Sequence, residues 1–477
     1  MKINPFIFRN YDIRGKIPDD LDKDKVFAIG KGYAKLLLRR KIRHCVVGYD
    51  CRLTGPEFKE AFVKALTSSG INVIDIGMVM TQMVYYGQYR FQTNGGAMIT
   101  ASHNPQNFNG FKLAIGFSQT TGPDEVKEIK DSVDSDDFIN AEVPGTYTTA
   151  DIKEDYFNDV LKRVNITKKF KIVVDSHNGT TGMYVPELIR RTGCEVIERM
   201  TEVDGHFPNG TPDPTDAHII MDLAKVVLEQ KADLGVAFDG DGDRIGIVDE
   251  KGHILWNDVF VAIFAKEILE RFPKSKIVYN TLCSQVVDQV VRASGGVPIL
   301  WRTGHSFIKK KIAEEGAAFG GELSGHFFFA DNAYGHDDGS YAILRMLEYL
   351  EAKGLTLSQL YESFPSFISS PEIKIGCPDD KKIVIVKDLS IKFKKDFANA
   401  RITDDTVIPG DDGIRADFED GMMVFRYSQN GPYITIKFEA KDQAIYDERK
   451  KYISDVLHSY PEMIWTDELC VNLDSLE

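Results

Sequence analysis

Three aspartates alternate with glycine at Asp239-Gly-Asp-Gly-Asp243, directly after the apolar run Leu234 to Phe238. A strand feeding such a turn lets three carboxylates converge on one point, and the glycines permit the tight bend. Carboxylates that close repel unless a hard cation lies among them, and oxygen-only ligands suit Mg²⁺ or Ca²⁺. The spacing is like that of a calcium EF-hand loop, even to Glu250 in the twelfth position, but Arg244 stands where that loop needs Gly. A solvated acidic turn is the bland alternative. Ser102 follows another apolar run, Gly96 to Ile99, in the loop Thr100-Ala-Ser-His-Asn-Pro105, either as a nucleophile or as a turn former. The adjacent His103 invites a hydrolase triad, yet neighbouring side chains do not easily make the nucleophile-to-base hydrogen bond and no GxSxG elbow surrounds Ser102. Glu322, Ser324 and His326 alternate in a third loop, after Ala317 to Gly320, and offer the donors and acceptors that sugar hydroxyls require, or a satisfied loop network. A fourth segment, Arg426-Tyr-Ser-Gln-Asn-Gly-Pro432, supplies a guanidinium, a hydroxyl and backbone N–H groups of the kind that hold a phosphate dianion.

The elements that carry these loops repeat. Cys45 to Tyr49 reads as a buried strand, and Thr54-Gly-Pro-Glu57 has the spacing of a capping box. Phe58, Ala61, Phe62, Ala65 and Leu66 then make one helical face, and Gly70 stops the helix before a strand from Ile71 to Ile76. The order returns with Lys171 to Asp175, Val185 to Arg191 and Cys194 to Ile197, and again with Lys276 to Tyr279, a helix bearing Val286, Val287, Val290 and Val291, and Val297 to Trp301. Three βαβ units of this kind predict three similar mixed-sheet α/β domains, whose loops at strand carboxyl ends can face a central cleft. From Glu372 onward short strands, including Met422 to Phe425 and Tyr433 to Phe438, and a polar helix from about Lys441 predict a separate C-terminal α+β domain beyond a linker at Ser369-Ser-Pro371. The expected domains are 1–150, 151–255, 256–370 and 371–477.

At 477 residues the chain exceeds what one core supports, in keeping with that division. A net charge of −14 argues against a sequence-blind grip on nucleic acid or on an anionic membrane, although a basic cleft for a small anion remains compatible with it. Six scattered cysteines without a CxxC pair fit neither a zinc site nor a disulfide framework, so a reducing, cytoplasmic setting is expected. Met1 to Gly15 has no apolar stretch of the kind a secretory signal carries, and no run of 18 apolar residues occurs, so neither a secretory signal nor a membrane span is expected.

Taken together the loops resemble the α-D-phosphohexomutase family. The matching stretches run from Phe8-Arg-Asn-Tyr-Asp-Ile-Arg-Gly15 through Thr100 to Pro105, Asn109 to Lys112, Asp239 to Arg244, Gly304-His305 and Gly321 to His326, ending at Arg426 to Pro432. The resemblance implies a phosphoserine at Ser102 and Mg²⁺ on Asp239, Asp241 and Asp243, completed by a phosphoserine oxygen. It implies that Glu322, Ser324 and His326 read sugar hydroxyls and that Arg426, Ser428 and Asn430 bind the phosphate not being transferred. Tyr11, Arg14, His103, Lys112, Arg244 and His305 match cleft positions, with Lys112 the candidate for proton transfer. The implied reaction interconverts hexose 1-phosphate and hexose 6-phosphate through a bound 1,6-bisphosphate, which also serves as primer; the implied assembly is a monomer or weak dimer.

Three departures stand out. Asn430 replaces the family's usual Thr, Leu282 occupies a position that is often basic, and Gln82 stands where Pro is common. Leu323 after Glu322 favours the phosphomannomutase/phosphoglucomutase branch over the phosphoglucosamine branch, which tends to have Gln there. A sugar-phosphate phosphatase and a non-catalytic sugar-phosphate binding protein are the alternatives from other classes.

Overall fold

The computed structural model describes residues 3–466 and 468–477, which form four sheets of seven, five, four and six strands. They gather into two compact units. The first comprises Met1–Asp213, Val236–Ile245 and His336–Glu348; the second comprises Pro214–Gly235, Gly246–Gly335 and Tyr349–Glu477.

In the first unit the seven-stranded sheet has the order Asp12–Lys16, Phe108–Gly116, Gly95–Ile99, His44–Tyr49, Asn72–Met78 and Tyr147–Thr149, with Gln119–Thr120 beside Phe108–Gly116. His44–Tyr49 runs parallel to both its neighbours, whereas Phe108–Gly116 is antiparallel to Asp12–Lys16 and to Gly95–Ile99, so the sheet is mixed. The helix Gly55–Ser68 buries Phe58, Phe62, Ala65 and Leu66 as its spacing predicts, and the Phe62 and Phe111 rings stack at 4.9 Å. Thr54 does not cap it. Its backbone is already helical, and its hydroxyl instead accepts from Asn109 Nδ2 at 2.9 Å, which ties the helix to the strand carrying Lys112. The second repeat appears as the parallel strands Lys171–Asp175 and Glu195–Arg199 about the helix Val185–Arg190, which Gly193 ends at φ +89°.

In the second unit Lys276–Asn280 lies parallel to Val297–Trp301 and to Phe319–Gly321, and Phe327–Phe329 closes that sheet antiparallel. Val278, Ile308, Ile312 and Phe328 form its core. The last sheet is antiparallel through Arg401–Asp404, Gly413–Phe418, Gly421–Tyr427 and Tyr433–Ala440. The segment expected as a linker is built into it: Ile368 and Ser369 pair with Ala440 and Glu439, and the Ser370 carbonyl accepts from the buried Lys437 ammonium. The helix Lys382–Asp396 was not foreseen, because Ile383-Val-Ile-Val386 carries β-branched residues that favour strand. Tertiary packing overrides that preference by burying Ile385, Val386, Leu389 and Phe393 on one helical face. No helix among the described residues is long and apolar enough to cross a membrane.

Candidate active site

In the first unit Ser102 sits at the end of Gly95–Ile99, fully buried, with a left-handed φ of +52°. That region costs a β-carbon-bearing residue about 1 kcal/mol or more, so the surroundings must hold it. The Ser102 hydroxyl donates to Asp239 Oδ2 at 2.7 Å, and His103 Nδ1 lies 3.3 Å from Ser102 Oγ. The adjacent histidine therefore does come within reach, contrary to expectation, but the hydroxyl's one proton is directed at the aspartate. Arg14 braces the loop by donating to Asn104 Oδ1 at 2.8 Å and the Ala101 carbonyl at 3.2 Å, and pairs with Asp12 at 3.0 Å.

The aspartate loop is drawn onto the serine loop. A β-carbon on Gly240 would stand 2.7 Å from the Ser102 carbonyl oxygen, and Gly242 has φ +81°, so both glycines are required by geometry. Asp239 Oδ1 accepts from the N–H groups of Gly242 at 2.9 Å and Arg244 at 3.2 Å, and the Arg244 side chain lies 3.9 Å from Asp239 Oδ2. Asp241 Oδ2 accepts from Thr81 Oγ1 at 2.6 Å and Lys112 Nζ at 2.7 Å, and Lys112 also pairs with Asp243. One oxygen from each of Asp239, Asp241 and Asp243 lies within 4.8 Å of the others, all three residues being buried. Asp241 Oδ1 has no hydrogen-bond partner. A buried bare carboxylate oxygen beside two more carboxylates is a donor set suited to a hard divalent cation.

Burial, and then the charges of Asp241 and Asp243, push the Asp239 carboxyl well above the usual range. Burial alone would lower Lys112, but Asp241, Asp243 and Asp239 outweigh it and raise its ammonium above the ordinary value. Lys112, expected to move a proton, is thus held as an ammonium that donates hydrogen bonds to Asp241 and Asp243. Gln82, a departure from the family, donates to the Gly242 carbonyl and to Ser340 Oγ, both at 3.1 Å, and so supports the aspartate loop from behind. Tyr11, just before the edge strand Asp12–Lys16, is buried, and its carbonyl accepts from the Thr121 hydroxyl at 2.9 Å.

The other expected residues lie in the second unit. Glu322 Oε1 accepts from the Gly304 N–H at 2.8 Å, its Oε2 lies 3.2 Å from His326 Nδ1, and that nitrogen is 3.0 Å from Ser324 Oγ. Burial pushes the Glu322 carboxyl up, but His326 and the Gly304 N–H prevail, leaving it below the ordinary carboxylate value. His305 begins the helix His305–Glu315, its ring 5.8 Å from that of His326. In the last sheet Arg426 makes a two-pronged pair with Asp412, and Gln429 Nε2 donates to the same carboxylate at 2.9 Å. Ser428 Oγ accepts from the N–H groups of Asn430 at 3.0 Å and Gly431 at 3.1 Å. Asn430 Oδ1 is buried without a hydrogen-bond partner. Leu282 is buried, and the carbonyls on either side of it, from Thr281 and Cys283, accept from Arg415.

Reading the sequence missed Thr81, Asp50, Arg52 and Lys382. Lys382 donates to the Ser428 and Gly431 carbonyls at 2.7 and 2.8 Å and closes the Arg426–Pro432 turn. Only an Asp-x-Arg after the strand His44–Tyr49, Asp50 to Arg52, offered a signal.

Residues 5–140, 154–252 and 256–367 match alpha/beta/alpha domains I, II and III of phosphoglucomutase/phosphomannomutase. The chain is 37% identical over 438 residues to a phosphomannomutase/phosphoglucomutase of Pseudomonas syringae, covering 92% of each. It is 35% identical over 460 residues to a phosphoglucomutase of Neisseria gonorrhoeae, covering 96% of this chain and 98% of the relative. A crystal structure of a phosphoglucomutase/phosphomannomutase family protein from Burkholderia thailandensis superposes with a TM-score of 0.85 at 32% identity, covering 96% and 98% of the two chains. With its three α/β domains, its fourth sheet and its acidic loop beside Ser102, the chain belongs to the phosphoglucomutase/phosphomannomutase family.

Proposed function

We propose that this chain is a Mg²⁺-dependent phosphohexomutase, interconverting the 1- and 6-phosphates of mannose, glucose or both through a phosphoserine at Ser102. The observation that carries the reading is the buried Ser102 hydroxyl 2.7 Å from Asp239 in a cradle of three converging aspartates. Mg²⁺, when bound by Asp239, Asp241 and Asp243 with a phosphoserine oxygen, supplies positive charge to the transferring phosphoryl.

In each half-reaction the phosphoryl's bond to one oxygen breaks as its bond to another forms, and the proton passes from the attacking hydroxyl to the departing oxygen. The attacking and departing oxygens are Ser102 Oγ and a sugar oxygen. Arg14 and Arg244 hold the loops that carry the serine and the aspartates, and Lys112 is the candidate to hand over the proton. Catalysis of this kind consists mostly of positioning and electrostatic stabilisation, which needs fixed cations rather than a strong base. Glu322, Ser324 and His326 serve to bind sugar hydroxyls; Arg426, Ser428 and Asn430 serve to bind the second phosphate. Tyr11, His103 and His305 complete the substrate-binding and catalytic set. A hexose 1,6-bisphosphate is the intermediate and the primer, and the working protein is a cytoplasmic monomer or weak dimer.

Phosphorus NMR tests this with Mg²⁺, a trace of glucose 1,6-bisphosphate and separate tubes of mannose, glucose and glucosamine 1-phosphate. Conversion to the 6-phosphate, absent in Ser102→Ala, is the expected result. Release of inorganic phosphate alone would replace the reading with a phosphatase, and no change in any tube would leave a binding protein.

A further inference from the structure

A guanidinium carries five N–H donors in one plane. Arg52 spends all of them next to Ser102 without reaching its hydroxyl. Nη2 donates to the carbonyls of Ser102 at 2.8 Å and Asn104 at 2.6 Å; Nη1 donates to those of Pro105 at 2.7 Å and Phe108 at 2.9 Å. Nε donates to Asp50 Oδ2 at 3.2 Å. The same Asp50 oxygen accepts from Thr100 Oγ1 at 2.7 Å, and Thr100 Oγ1 in turn accepts from the Ser102 N–H at 2.8 Å. Both backbone polar groups of Ser102 are therefore tied to the Asp50–Arg52 pair, the carbonyl directly and the N–H through Thr100. Arg52 is only 1% exposed, with its guanidinium 5.2 Å from the Phe207 ring centroid, so the clamp itself is immobilised.

Four carbonyl oxygens turned toward one another repel unless a cation fills the space between them, and burial denies them water. Ser102 keeps its positive φ because this cation makes the inward-turned carbonyls favourable. The Asp50 carboxylate offsets the charge, so what Arg52 supplies is the shape of the loop and little net potential at the reacting oxygen.

We propose that Arg52 is a positioning residue for phosphoryl transfer, holding Ser102 at its reactive angle through the carbonyls of its own loop. The proposal rests on Ser102 being the phosphoserine. A displacement of about 1 Å of a reacting group costs on the order of 100-fold in rate, which sets the size of the expected effect.

The test compares wild type, Arg52→Ala, Arg52→Lys and Ser102→Ala, each checked for its melting temperature and for Mg²⁺ affinity by calorimetry. Arg52→Ala should lose about 100-fold in kcat with KM for the hexose 1-phosphate nearly unchanged. Sub-denaturing guanidinium, but not sodium chloride at equal ionic strength, should recover part of that loss. Arg52→Lys retains the charge but has three donors for four carbonyls, and should remain about tenfold slow. If Arg52→Ala fails to fold, Arg52→Lys decides on the same kcat criterion. A folded Arg52 variant with kcat within about threefold of wild type, or a defect confined to KM, would overturn the proposal. Ser102→Ala separates the two readings. If it is fully active, the phosphoserine and this proposal fall together; if it is inactive beside a fully active Arg52→Ala, the role of Arg52 alone falls.

Discussion

Lys112 and the aspartates around it balance charge within a few ångströms, and that balance has measurable consequences. The Lys112 ammonium occupies the same carboxylates that suit a divalent cation, so the two compete. Lys112→Met should bind Mg²⁺ about tenfold more tightly in calorimetry while turning over more slowly, because a charge-assisted contact is exchanged for metal ligation. Asp241→Asn, which alters the carboxylate bearing the bare oxygen, should weaken Mg²⁺ binding by tenfold or more. Unchanged affinity in either variant would remove that residue from the metal site. Much of this constellation was legible in the sequence, since Asp-Gly-Asp-Gly-Asp and Ser-His-Asn-Pro announce themselves by residue type. Arg52 was marked by nothing beyond its Asp-x-Arg spacing to Asp50, because its other partners are main-chain carbonyls, which every residue has.

Elements bring those residues together, and here glycine matters more than any side chain. Gly240→Ala would set a methyl 2.7 Å from the Ser102 carbonyl oxygen, a backbone atom that cannot swing aside. Forcing the loops apart should cost about 1–3 kcal/mol, lower the melting temperature by several degrees and depress kcat, as calorimetry and a coupled assay would record. In the repeated βαβ units the strands were readable as short apolar runs, because His44–Tyr49, Lys171–Asp175 and Lys276–Asn280 are buried on both faces, and the helices from their 3.6 period, because each buries one face. Two features escaped: the Thr54 hydroxyl accepts from Asn109 Nδ2 in the strand Phe108–Gly116, and Lys382–Asp396 becomes helical only through what it packs against. In both, a long-range contact wins over a local preference, which a reading along the chain weighs too lightly.

On the scale of the whole molecule, one buried acid predicts how stability responds to pH. Burial pushes the Asp338 carboxyl up to about 7; Asp337 adds to this, and the Tyr341 N–H and the Tyr156 hydroxyl, which lies 2.9 Å from Oδ2, only partly offset it. An acid raised in this way holds its proton longer when folded than when unfolded, so its contribution is full below the unfolded value near 4 and is lost as pH rises toward 7. Asp338→Asn retains the shape without the ionisation. Its stability relative to wild type, measured by urea unfolding, should therefore improve between pH 5 and 8, by at most about 3 kcal/mol. A constant difference across that range would show that Asp338 does not titrate there.

Ser102 and Asp239, joined by a single hydrogen bond, are separated by 137 residues of chain. At synthesis rates of about 5–20 residues per second, the serine waits roughly 7–27 s on the ribosome for the carboxylate that will hold it. During that interval the first sheet can form around a hydroxyl lacking its acidic partners, and a nascent chain stopped short of Asp239 carries the serine without any of the three aspartates. The reactive group is thus made long before the groups that would arm it, a delay set by the order of the chain.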